Sequence, residues 1–344
     1  MIRKLIYFLL LTFLTVSCMS EGGITCPQGL RLQFRYTHNS QNQDLLFEQV
    51  GSIRVFLFDQ NTGTLAYIIP VGTQDIAKGY INANVAQGLY TAIAWGGSST
   101  NMLQGGYTDA QATNPATAGA VLQTVPIAIG STTLDNFRMM LSYDLLPAGS
   151  NTLADVAPKV SDFDDLFYAS TEDIFVVSNK QQTVDLSFIK NTSTLKITVT
   201  GLQHLRSAMP LNVFTTGKNW LYEYDNTPDT YTPHMLYLPQ SETLTANNTM
   251  EVSIKQQRIH VSQSAIDQIM LYVQDPATGT DIIAPLNVTA AIMQNPAYQS
   301  QAAIDAEDLF TINLAITAPD DSYDLTVTIT INDWEIVILN PIPM

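Results

Sequence analysis

The chain has 344 residues, 46% apolar and 13% charged, with 15 basic against 31 acidic side chains and a formal charge of −16. That length suggests about two domains of ~150 residues, and the hydrophobicity is too high for a disordered chain. The acidity opposes nucleic acid and anionic lipid surfaces, which need basic clusters; no Lys or Arg follows Arg258, whereas eleven acidic residues do.

Met1-Ile2-Arg3-Lys4 gives a positive start, and the twelve residues from Leu5 to Val16 are uncharged and mostly apolar. So short a run cannot cross ~30 Å of hydrocarbon as a helix, which predicts a signal peptide over residues 1–17. The run ends on Ser17-Cys18 and turns polar at Met19-Ser20-Glu21-Gly22-Gly23. A small residue directly before Cys resembles the bacterial lipobox, in which the Cys becomes an acylated first residue. Thr15 and Val16 depart from that pattern, and an ordinary secretory signal is the alternative. Lipidation at Cys18 would hold the chain to a membrane through buried acyl chains and make residues 18–28 a tether. It would also leave Cys26 unpaired beside Pro27 and Leu30, as a packed small hydrophobe or a site of intermolecular pairing.

From Leu30 to Tyr36 apolar and polar residues alternate, as in a half-buried strand. Ile53–Asp59 and Leu65–Ile69 flank Gln60-Asn61-Thr62-Gly63 as a hairpin. Tyr80–Val85 and Leu89–Trp95 flank another tight connection at Ala86-Gln87-Gly88. A loop-like region follows to about Ala120, then strands at Thr124–Ile129 and Met139–Tyr143, and a Pro-, Gly- and Asp-marked stretch over Leu145–Asp165. Thr183–Leu202 reads as two strands around Asn191-Thr192-Ser193, with a domain boundary near 183. Strand patterns recur at Met209–Thr216, Met250–Val261, Gln268–Asp275, Phe310–Thr317 and Leu325–Leu339, and Ser300–Asp308 is the best helical candidate. The economical fold is all-β, two tandem antiparallel β-sandwich domains over residues 29–182 and 183–344. No close internal repeat is visible in the sequence.

Chemistry is sparse. His38, His204, His234 and His260 lack metal-ligand spacing, and no nucleophile elbow, zinc-protease, Walker or C-x-x-C motif occurs. The chain is therefore read as a non-enzyme with no cofactor and no metal. Asp59–Thr64 echoes half of a calcium loop but has Pro70 where the closing Glu belongs, so it reads as a turn. Asp162–Asp165 reads as a solvated acidic loop that could attract a cation. Trp220, Tyr222 and Tyr224 alternate beside acids in Asn219–Asn226. They form either a glycan-stacking platform or one face of the second core. Leu325, Val327, Ile329 and Ile331 alternate with threonines in a β-branched, uncharged strand. Such a strand must pair in its own sheet or be given to another chain by strand addition.

Three segments together carry a family resemblance: "CPQGLRLQFRYTHN" at Cys26–Asn39, "VGSIRVFLFDQNTG" at Val50–Gly63 and "GLYTAIAWGG" at Gly88–Gly97. "LFYAS" at Leu166–Ser170, "VDLSFIKNTSTLKITVTGL" at Val184–Leu202 and "ITINDWEIV" at Ile329–Val337 fit as well. With the lipoprotein signal, the chain resembles the FimB/Mfa-type fimbrial anchor lipoproteins of Bacteroidota-type bacteria. The resemblance implies two transthyretin-like domains and an outer-membrane, cell-surface location. It also implies a role in anchoring a fimbria and limiting its length, with a fimbrial stalk subunit as partner and strand exchange as the mode of contact. Arg31 and Arg35 fall within the predicted first strand, where burial would resist the proteolysis that activates polymerising relatives, so an anchor is expected in preference to a stalk subunit. A cell-surface glycan-binding lipoprotein is the alternative, resting on the Trp220 cluster.

Overall fold

A computed structural model describes residues 29–98, 103–105, 126–141, 159–160, 163–178, 180–205, 209–229, 234–245, 247–261, 268–318 and 325–337. Strands dominate. Helices are single turns or little more: Leu46–Gln49, Thr73–Lys78, Val288–Ile292 and Gln301–Asp305. The last lies inside the predicted helical segment. It begins at Ser300, whose hydroxyl accepts a hydrogen bond from the Ala303 backbone N–H, as an N-cap should.

The first half of the chain builds two facing sheets. One is three-stranded, in the order Gln181–Ser187, Gly29–Arg35, Tyr80–Ala83; the first strand lies in the middle, parallel to the former and antiparallel to the latter. The other is five-stranded: Ile189–Lys190, Leu166–Val176, Gly88–Gly97, Ser52–Asp59, Thr64–Val71, all antiparallel. Leu30, Leu32, Phe34 and Leu186 from the small sheet meet Val55, Leu57, Ala92 and Ala94 from the large one in a closed core. This is the period-2 alternation of the sequence made physical, since alternate side chains on a strand face opposite ways.

The second half repeats the plan. Its six-stranded sheet runs Ser241–Thr245, Thr249–Gln257, Thr192–Thr200, Leu309–Thr317, Thr326–Ile331, Trp334–Val337. Its five-stranded sheet runs Leu286–Asn287, Met270–Gln274, Asn212–Gly217, Met235–Tyr237, Lys159–Val160. Leu195, Ile197, Phe310 and Ile312 pack across to Val213, Leu271 and Val273. Thr192–Thr200 is antiparallel to Thr249–Gln257 and parallel to Leu309–Thr317, just as Gly29–Arg35 is antiparallel to Tyr80–Ala83 and parallel to Gln181–Ser187. The order Leu166–Val176, Gly88–Gly97, Ser52–Asp59, Thr64–Val71 is matched by Leu286–Asn287, Met270–Gln274, Asn212–Gly217, Met235–Tyr237. The two halves therefore share one topology, a repeat that the sequence does not display.

Gln181–Ser187 pairs with the first strand, and Leu186 and Phe188 join the first core. Tyr80–Ala83 and Gly88–Gly97 are joined by the expected tight connection, which crosses from one sheet to the other. One expectation needs correction. Within Thr124–Ile129, the described residues 126–129 are not strand, and Ile129 starts a turn.

The halves are interwoven. Lys159–Val160 lies in the second half's sheet, and Met139–Leu141 joins Leu103–Gly105 and Leu221–Tyr222 in a small bridging sheet. A third core fills the seam, with Phe56, Phe58, Ile93, Trp95, Phe137 and Tyr168 from one half meeting Tyr222 from the other.

Candidate functional site

The C-terminal strand is held inside its own sheet. Thr326–Ile331 is hydrogen-bonded antiparallel to Leu309–Thr317 on one side and to Trp334–Val337 on the other. Leu325, Val327, Ile329 and Ile331 all point into the core and are buried. The hairpin closing it turns on Asn332 and Asp333, both at positive φ (45° and 63°), the left-handed pair that a two-residue hairpin requires. Asn332 also accepts from the Thr311 backbone N–H at 2.7 Å, which pins the turn to the neighbouring strand. As folded, these residues present no free edge to another chain.

The aromatic cluster offers no sugar-binding face. Trp220 is wholly buried and Tyr222 is 1% exposed. The Tyr222 ring lies 5.7 Å from that of Trp95 across the seam between the halves. Tyr224 packs against the same cluster, and its carbonyl accepts from the Tyr168 hydroxyl at 2.7 Å. The alternation that suggested a platform places Trp220 in the second core and Tyr222 and Tyr224 in the seam between the sandwiches. Cys18 and Cys26 lie outside the described residues.

The topological repeat exposes a contrast at both edges of the small sheet: Tyr80–Ala83 is outermost among the described residues, where its equivalent Thr249–Gln257 is covered by Ser241–Thr245, and a second contrast lies at the opposite edge. Leu309–Thr317 and Gln181–Ser187 occupy equivalent places, each the parallel neighbour of a central strand. In the second half that place is covered by Thr326–Ile331. In the first half, Gln181–Ser187 is the outermost strand among the described residues. Gln182, Thr183, Asp185 and Ser187 are exposed, while Leu186 is buried. An edge strand of this kind carries unpaired backbone N–H and C=O groups, the chemistry of strand addition. Composition gave no hint of it, because an uncovered edge is defined by what is missing beside it.

Gly29–Arg35 has neighbours on both sides, so removing it would break two hydrogen-bond ladders. Arg31 is half-buried, with its Nε donating to Asn82 at 3.0 Å and its guanidinium 4.4 Å from the Tyr80 ring centroid. Arg35 is exposed.

Charged groups fasten the seam. Asp165 accepts from Lys255 at 2.8 Å, from Lys190 at 3.1 Å and from the Thr192 hydroxyl at 2.9 Å. Burial would raise its carboxyl, but the two ammoniums prevail and hold it below the usual carboxylate range. Arg258 forks onto Asp305 with contacts of 2.7 and 2.6 Å, both residues being buried, and also donates to the Asn226 carbonyl. Asn226 and Asn191 exchange side-chain hydrogen bonds at 2.5 and 2.9 Å. Arg138, from the segment that crosses the seam, binds Asp229 at 2.9 Å and Glu223 at 3.3 Å. Partial burial raises the Glu223 carboxyl, against the pull of Arg138. None of these pairings was legible beforehand, since each joins residues distant in sequence.

Among the described residues no group of three His, Cys, Asp or Glu is placed to hold a metal, and no helix is long and apolar enough to cross a membrane. Asp59 caps its own turn, accepting from the Asn61 and Thr62 backbone N–H groups. Asp275 does the same for Ala277 and Thr278 in the other half.

The fimbrillin-A associated anchor proteins Mfa1 and Mfa2 form the family whose pattern matches residues 24–340. No curated protein matches the chain by sequence search. Among solved structures, the fimbrial anchor protein Mfa2 of Porphyromonas gingivalis superposes with a TM-score of 0.64 at 17% identity, covering 91% of this chain and 99% of that one. A candidate adhesin of Bacteroides thetaiotaomicron gives 0.67 at 17% identity, covering 91% and 98%. A candidate polysaccharide-binding protein of the same species gives 0.67 at 14%, covering 90% and 98%.

Proposed function

The chain belongs to the Mfa2 family of fimbrillin-A associated anchor proteins, and on that premise we propose that it is a non-enzymatic outer-membrane lipoprotein that ties a fimbria to the cell surface and limits its growth. The observation that carries the mode of contact is the uncovered edge at Gln181–Ser187, whose equivalent in the second half is already filled. A stalk subunit donates a strand to this edge, antiparallel, as Thr326–Ile331 lies against Leu309–Thr317. The chain acts as acceptor: its own Leu325–Ile331 segment stays in its sheet, and its first strand stays in place. The two repeats form two domains, residues 29–190 and 191–337, with residues 1–17 a cleaved signal and 18–28 a tether acylated at Cys18.

Placing a photo-cross-linking amino acid at Gln182 or Asp185 in cells that make fimbriae tests the edge. Capture of a fimbrial subunit there, and not from Glu242 on the far edge of the six-stranded sheet, is expected. Equal capture at both places, or capture at Glu242 alone, would overturn the assignment. Membrane attachment is tested separately: fatty-acid labelling should vanish in Cys18→Ala.

A further inference from the structure

The repeated topology shows what a strand seated on the Gln181–Ser187 edge has to offer. The parallel ladder at the centre of each half has seven pairs, Gly29–Gln181 to Arg35–Ser187 in the first and Thr194–Leu309 to Thr200–Ala315 in the second. Matched end to end, Val184, Asp185 and Leu186 stand where Ile312, Asn313 and Leu314 stand. In the second half those three lie opposite Ile331, Thr330 and Ile329 of the covering strand, and Ile312 and Leu314 are buried. In the first half Leu186 is buried, but Val184 is only half-buried against its core.

The outward-facing position between them differs in chemistry. Asn313 donates from its side-chain amide to the Thr330 hydroxyl at 3.2 Å, a neutral cross-strand pair. Asp185 puts an exposed carboxylate in that place, with no ion pair among the described residues. Arg31 and Arg35 flank it diagonally on the first strand, but Arg31 is turned to Asn82 and Tyr80 on the far side. An ionised carboxylate only accepts hydrogen bonds, so a residue opposite it has to donate. The backbone brings such a residue close. The Phe188 N–H donates to the Arg35 carbonyl at 2.7 Å. Even-numbered residues of this strand therefore bond inward, and Thr183, Asp185 and Ser187 turn their N–H and C=O groups to the open edge. An antiparallel residue opposite Asp185 exchanges both backbone bonds with it, and the two side chains share one face of the sheet.

We infer that the strand received at this edge carries a lysine or arginine opposite Asp185, between apolar residues opposite Leu186 and Val184. This rests on the reading of Gln181–Ser187 as the acceptor edge and adds the side-chain pattern of what is donated. The cation pairs with the carboxylate on the outer face. Its apolar neighbours cover Val184 and reach the core beside Leu186, as Ile331 and Ile329 do beside Ile312 and Leu314. A hydroxyl would also donate to Asp185, but a charge-assisted bond is about twice as strong as a neutral one. Asp185 in place of Asn313 thus distinguishes a partner's strand from the chain's own Thr326–Ile331, which has Thr330 at that point.

The test titrates the full chain into fluorescein-labelled peptides that copy Leu325–Ile331 and reads fluorescence anisotropy. One peptide keeps the copied sequence, a second carries Thr330→Lys, and a third carries Thr328→Lys, which puts the same charge opposite Ser187. A photo-cross-linking amino acid at Gln182, in a separate sample, reports whether each peptide sits on the edge. The Thr330→Lys peptide is expected to bind about twofold to fivefold more tightly than the copy, in line with a cross-strand charge pair, and more tightly than the Thr328→Lys peptide. Asp185→Asn in the chain should abolish that preference; Asp185 is exposed, so this variant is expected to keep the parent melting temperature. Capture of all three peptides at Gln182 with equal affinities, or a preference that survives Asp185→Asn, would overturn the inference and leave the edge standing. Capture of none at Gln182 would overturn the edge and the inference together.

Discussion

Asp165→Asn is the substitution from which the structure predicts most. The carboxylate stands between two ammoniums that are only 12% and 16% exposed, Lys190 and Lys255. Its amide replacement keeps the shape and the Thr192 hydrogen bond but leaves those cations facing a neutral group. Breaking a fully buried pair costs about 3–5 kcal/mol. Asp165 itself is 27% exposed, and Lys190 retains Asp308 at 3.5 Å, so a loss of about 2–3 kcal/mol is expected at pH 7. Because Lys255 has no second carboxylate within ion-pair distance among the described residues, it carries most of that loss. A double-mutant cycle with Lys255→Met should recover about half of it. The pH dependence has a definite sign. The folded carboxyl lies below its unfolded value, so its contribution is present above the unfolded pKa of about 3.9 and is lost as pH falls through the folded one. The gap between wild type and Asp165→Asn should thus be constant at neutral pH and close in the acid range below about pH 4. Urea unfolding followed by tryptophan emission reads both halves, through Trp95 and Trp220. A loss under about 0.5 kcal/mol, or a gap that widens as pH falls, would refute the reasoning.

Trp220→Ala should cost about 3–5 kcal/mol by chemical denaturation, because the indole is fully buried, and should leave retention in oligosaccharide affinity electrophoresis unchanged from wild type. Gly201→Ala puts a Cβ 1.9 Å from the Ile316 carbonyl oxygen at a φ of +79°, and should cost more than about 1 kcal/mol in a thermal melt followed by circular dichroism. Asp305→Asn strands buried Arg258 and should cost about 3–5 kcal/mol, whereas the paired change Arg258→Met with Asp305→Leu should restore most of that in the same urea titration.

Strands were legible in the sequence wherever one face is buried and the other wet. Leu30–Tyr36 and Leu325–Ile331 alternate because they sit that way in their sheets, and Ile53–Asp59 is a denser apolar run because both of its faces are buried. The family was legible too, from the order of the segments beginning at Cys26. Pairing partners were not. The sequence reading grouped Gln181–Ser187 with the second half because it runs directly into Thr192–Thr200, yet its hydrogen bonds go to a strand some 150 residues earlier. Alternation states only which face is apolar, not which strand lies alongside. The same limit hid the repeat: equal topology needs only apolar residues at equal places, and Leu30-Arg31-Leu32 serves as well as Leu195-Lys196-Ile197. Trp220 and Tyr222 left two readings open because aromatic residues beside acids look alike whether they meet a ligand or another sheet. The place of Trp220 in the second core and of Trp95 against Tyr222 across the seam distinguishes the cases.

The central place of Gly29–Arg35 bears on how the molecule carries tension. On the proposed attachment through Cys18, a pull that reaches residue 29 runs along a strand flanked by hydrogen-bond ladders on both edges. Those ladders are loaded sideways and must yield together, whereas a peripheral strand peeled from its end opens one bond at a time. The parallel neighbour Gln181–Ser187 starts level with residue 29 and runs in the same direction. A strand seated against it would take up the pull across two ladders, its own and the one between Gly29–Arg35 and Gln181–Ser187, leaving the second half of the chain outside the path of the force.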